Sequence, residues 1–88
     1  MKVSVFDTYV TRKDGAIMHF DILVPSDLRD VDKIHTFGRE YLTRKGQEGQ
    51  PLTTNECRFC HIEEADDNVV ADITAHGYSI IEMQGCNN

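Results

Sequence analysis

The sequence predicts an α+β domain: a two-layer ββαβαβ arrangement with a four-stranded mixed sheet and both helices on one face. Three observations carry that expectation. Two β-branched and aromatic runs flank an Asp-Gly pair near the start of the chain, the pattern of a β-hairpin. Residues 30–45 carry apolar side chains at helical spacing between a capping aspartate and a glycine. The rest repeats the alternation of strand and helix on a smaller scale.

Residues 2–10 (KVSVFDTYV) and 16–24 (AIMHFDILV) are the hairpin strands, with Pro25 ending the second. A three-residue loop, Lys13-Asp14-Gly15, built as a type I turn with a glycine bulge, places Asp7 opposite Asp21 and Tyr9 opposite His19. A two-residue Asp14-Gly15 loop shifts the pairing by one and takes Asp7 off that face. The longer loop is preferred because it keeps aspartates away from the face of Met18, Phe20, Ile22 and Val24.

The first helix runs from the N-cap Asp30 to Lys45, with Gly46 beyond its end and Val31, Ile34, Phe37, Tyr41 and Leu42 as its buried stripe. Gly38 lies inside that stripe and either permits close approach to the sheet or is simply tolerated. Residues 46–56 (GQEGQPLTTNE) lack periodicity and form a loop. Residues 58–64 (RFCHIEE) are a third strand. Asp66 or Asp67 caps a short helix carrying Val69, Val70 and Ile73 and ended by Gly77, and residues 78–83 (YSIIEM) are a fourth strand. Right-handed crossovers applied twice make strands two, three and four parallel.

With 88 residues the chain forms a single domain, 1–88. Nine Lys+Arg against fifteen Asp+Glu give a net charge of −6, which argues against nucleic acid or an anionic membrane as partner. No apolar run approaches a membrane span. The N-terminus reads directly into a strand, so the chain is expected in the cytoplasm with its cysteines reduced.

DTYVTRKDG, MHFDILVP, KGQEGQPLT, ECRFCHIE and GYSIIEMQGC together resemble the small bacterial family catalogued as domain of unknown function 2024. The resemblance spans nearly the whole chain and implies a compact α/β domain. It implies no activity, substrate or catalytic residue.

The sharpest local motif is Cys57-Arg58-Phe59-Cys60-His61. Attachment of c-type haem is rejected, because the motif opens a strand and no export signal precedes it. A redox pair of Cys57 and Cys60 lacks the following helix that stabilises a thiolate. Structural zinc needs four ligands. The parallel arrangement offers Cys57, Cys60, His19 and His76 at one end of the sheet, with Cys86 at the other. The alternative is a pair of packed thiols beside ordinary histidines. A second constellation is Asp7, Tyr9, His19 and Asp21, the material of a metal or acid–base site. Val3, Val5, Ile17 and Leu23 fall on the face without helices, so a homodimer through that face is expected.

Two functional readings follow. One is a small non-enzymatic binding or interaction module, holding zinc through the Cys57/Cys60 turn. The other is a thiol-based redox or metal-dependent enzyme using Cys57, Cys60 and the His19/Asp21 cluster.

Overall fold

The computed structural model describes residues 1–87. The elements follow in the order β1 (Lys2–Thr11), β2 (Ile17–Pro25), α1 (Val31–Arg44), β3 (Cys57–Glu64), α2 (Asp67–His76) and β4 (Ser79–Gln84). The order ββαβαβ is the one the sequence predicts.

Local chemistry sets each boundary. At the hairpin tip the Gly15 N–H donates to Arg12 O at 3.0 Å and Asp14 Oδ1 accepts from the Ala16 N–H at 3.0 Å. Gly15 takes φ +90°, a region closed to most side chains. The three-residue loop is therefore the one formed, and Asp7 pairs with Asp21 and Tyr9 with His19. Asp30 caps α1 by accepting from the Lys33 N–H, and Asp66 caps α2 by accepting from the Val69 N–H at 2.9 Å. Gly77, left-handed, closes α2.

The sheet has the order β3-β1-β2-β4. All three pairings are antiparallel, so the sheet is not mixed. The helices also lie on opposite faces rather than on one. Met18, Phe20, Ile22 and Val24 pack with Ile34, Phe37, Tyr41 and Leu42 of α1, and Leu52 and Cys57 join the same core. The alternate residues Val3, Val5 and Leu23 pack with Val69 and Ile73 of α2. Successive strand side chains point to opposite faces, so these two clusters are the two sides of one sheet.

The reversal of β4 has a simple geometric cause. β3 ends at Glu64 beside Lys2, and β4 starts at Ser79 beside Leu23, so both points lie at the same end of the sheet. A helix of 10 residues is about 15 Å long at 1.5 Å per residue. Three strand spacings are about 14 Å. α2 thus crosses the width of the sheet instead of running back along it, and β4 returns antiparallel to β2. The crossover rule governs parallel partners and does not reach this connection.

The same crossing covers the face through which a dimer was expected. Val3, Val5 and Leu23 are buried under α2, and Ile17 alone of that set is exposed. The 46–56 loop is anchored by Leu52, which is 1 % exposed, and by Gln47, Glu48 and Gln50 hydrogen-bonding Lys13 and Thr11 near the hairpin tip. Among the described residues no helix is long and apolar enough to cross a membrane.

Candidate functional site

α2 covers one half of its face. The other half, nearer the hairpin tip, carries Asp7 and Tyr9 from β1 and His19 and Asp21 from β2, placed side by side by the hairpin register. His19 Nε2 lies 2.5 Å from Asp7 Oδ1, and the Tyr9 and His19 rings stack with centroids 4.1 Å apart. One ligand atom each from Asp7, His19 and Asp21 falls within 4.8 Å of the others, and all three residues are half-buried.

The electrostatics follow from that crowding. The Asp21 carboxyl is pushed above its ordinary range, first by partial burial and then by the charge of Asp7, which also accepts a hydrogen bond from its protonated form. His19 and His61 pull in the opposite direction. Two carboxylates facing each other across a strand pair repel, and a proton or a cation between them removes the penalty.

The cysteine motif is arranged differently from the expected tight turn. Residues 57–64 are strand from end to end. Cys57 is buried in the α1 core, while Cys60 is exposed and all three cysteines are free. Three residues of strand separate their Cα atoms by roughly 10 Å, beyond the reach of about 7 Å for a disulfide. Cys60 is the additional residue of a bulge between the Val5–His61 and Phe6–Phe59 pairs. Burial raises the pKa of the Cys57 thiol, opposed by a hydrogen bond with Thr8, the reverse of what a reactive thiolate needs.

The four zinc ligands suggested by the sequence are not brought together. His19 points to the α2 face and Cys57 to the α1 core. His76 lies beyond the far edge, lining a cleft of about 640 Å³ with Tyr41, Arg44, Tyr78 and Glu82. Cys86, expected at the opposite end from Cys57, shares its core cluster and donates to His19 O at 3.4 Å. Both displacements follow from the reversal of β4.

Both carboxylates that line that cleft are already partnered. Glu82 accepts from Tyr41 Oη at 2.6 Å and pairs with Lys45 at 2.7 Å, and Asp72 accepts from Ser79 at 2.7 Å. The cluster on the open half-face has instead two neighbours that the sequence reading left out. Arg58 is the strand partner of Asp7, and His61 is near enough to act on Asp21. The signal for both was present in RFCHIEE, but it could be used only once β3 was known to lie beside β1.

No curated protein matches the chain. Among solved structures, the NMR structure of protein NE1680 from Nitrosomonas europaea is similar over 99 % of this chain and 100 % of its own, with 47 % identity and a TM-score of 0.85. A family model described as "Domain of unknown function (DUF2024)" matches residues 1–83. The chain belongs to that family, whose description assigns no function.

Proposed function

We propose that the protein is a small binding module that takes a divalent metal ion, zinc being the best match, at Asp7, His19 and Asp21. One observation supports the reading above the rest: an imidazole nitrogen and two carboxylate oxygens mutually within 4.8 Å on a solvent-facing half of the sheet. One nitrogen and two oxygens suit zinc and its first-row neighbours better than calcium or magnesium, which take oxygen alone. A cation there relieves the repulsion between Asp7 and Asp21, so its binding gains from a cost already present in the fold. The Tyr9 ring fixes the His19 imidazole by stacking, an orientation that a ligating histidine needs.

Three protein ligands leave a coordination position to water or a further ligand. That open position favours a second reading, a metal-dependent enzyme in which the ion acidifies bound water. Hydrolysis of an activated ester by zinc-loaded protein, no faster than by the His19→Gln variant, would exclude it.

The test of the first reading is equilibrium dialysis against zinc followed by metal analysis. Wild-type protein should hold one zinc per chain. His19→Gln and Asp21→Asn should lose it, while Cys57→Ala and Cys60→Ser should retain it. Full retention by His19→Gln, or no zinc on the wild type, would overturn the proposal.

A further inference from the structure

β3 is an edge strand, and its α1 face carries exposed apolar groups. Phe59 and Ile62 are 56 % and 54 % exposed. With Phe6, Leu28 and Val31 they line a groove of about 350 Å³ beside the start of α1. An open edge of this kind is a template for another strand.

The hydrogen-bond directions along β3 restrict which strand can be added. The Tyr9 N–H donates to Glu56 O, the Ala65 N–H to Met1 O, and the Ser26 N–H to Lys2 O. Odd-numbered residues of β1 therefore bond to β3 and even-numbered ones to β2. Phe59 and Ile62 pair with the even-numbered Phe6 and Ser4, so their own N–H and C=O groups point outward to the open edge. The Cys60 bulge sets these two outward residues three positions apart, where a regular strand spaces them by two. A regular partner strand falls out of step across that gap.

A second copy of the same bulged strand does not. Run antiparallel about a two-fold axis between Cys60 and His61, Phe59 of each copy lies opposite Ile62 of the other. In the same register Arg58 lies opposite Glu63. Phe59 and Ile62 share the α1 face, and Arg58 and Glu63 share the α2 face, because their β1 partners Phe6 and Ser4, and Asp7 and Val3, alternate in that way. Among the described residues Arg58 has no ion-pair partner. A shift by one residue in either direction sets Phe59 and Arg58 each against a side chain of the opposite face.

We propose that two copies of this chain pair through β3 in this register, forming one continuous antiparallel sheet across the dimer. The interface is isologous, so each contact occurs twice. It replaces the dimer through Val3, Val5, Ile17 and Leu23, whose face α2 covers, and it does not depend on metal at Asp7, His19 and Asp21.

Light scattering and sedimentation equilibrium at sub-millimolar concentration test it, with circular dichroism to establish that each variant is folded. Wild-type protein should show twice the mass of one chain, and Ile62→Lys should show the mass of one. Arg58→Glu alone and Glu63→Arg alone should each weaken the dimer by about tenfold, since two like-charge contacts replace two opposite ones. The double variant should recover the wild-type affinity. If Ile62→Lys fails to fold, the charge exchange decides. A monomeric wild type, a folded Ile62→Lys dimer, or a double variant no tighter than the single ones would overturn the proposal.

Discussion

Replacing Gly38 by alanine sets two effects of known sign against each other. An alanine in a helix interior gains about 0.5–1 kcal/mol over glycine. The added Cβ would lie 2.6 Å from Leu52 Cδ1 and 3.0 Å from Ile22 Cδ1, against a comfortable carbon–carbon separation of about 3.5–4.0 Å. Both neighbours are buried, and Leu52 is the residue that anchors the 46–56 loop. Overpacking of this kind costs about 1–3 kcal/mol, so the net prediction is a loss of about 1–2 kcal/mol. For a domain of this size that lowers Tm by about 5–15 °C. Thermal and urea unfolding followed by circular dichroism give the number, with an unchanged urea slope as the sign that the fold is intact. In a Leu52→Ala background most of the penalty should disappear, because the closer clash is gone and only Ile22 Cδ1 remains within 3.0 Å. A Gly38→Ala variant more stable than wild type would refute the reasoning and make the glycine a tolerated one.

Further outcomes follow from the same geometry. In the presence of a chelator, Asp21→Asn should stabilise the protein by up to about 1 kcal/mol by removing one of two opposed carboxylates, and a lower Tm would contradict this. Glu82 is held below its ordinary pKa of 4.5, first by its hydrogen bond with Lys45 and then by that with Tyr41. Its contribution is present above that value and lost as pH falls through the depressed one. Glu82→Gln should therefore cost about 0.5 kcal/mol at neutral pH and nothing at strongly acid pH, read from paired denaturation curves. Iodoacetamide should label Cys60 in the folded protein and reach Cys57 and Cys86 only on unfolding, since Cys60 alone is exposed. Mass spectrometry after mild oxidation should find no Cys57–Cys60 disulfide.

Much of the fold was legible in the sequence where local chemistry decides it. Asp14-Gly15 set the hairpin, and alternation along Met18, Phe20, Ile22 and Val24 selected its register. From that register the neighbourhood of Asp7, Tyr9, His19 and Asp21 followed. Asp30 and Gly46 bounded α1, and Asp66 and Gly77 bounded α2. What failed was long-range. Nothing local says whether a ten-residue helix returns along a sheet or crosses it, and that choice alone reverses β4 and moves His76 and Cys86. Val3, Val5 and Leu23 did announce an apolar second face, but the cover is α2 rather than another chain. The Cys57-x-x-Cys60 spacing suggests a turn, although RFCHIEE has strand composition. In a strand the same spacing puts one thiol inside and one outside.

The most direct measurement is a crystal structure of the zinc-loaded protein with anomalous data at the zinc edge. A single strong peak is predicted about 2.0–2.2 Å from His19 Nε2 and from one carboxylate oxygen each of Asp7 and Asp21. A peak at Cys60 or at the exposed His61–Glu63 pair instead, or no peak between Asp7, His19 and Asp21, would contradict it.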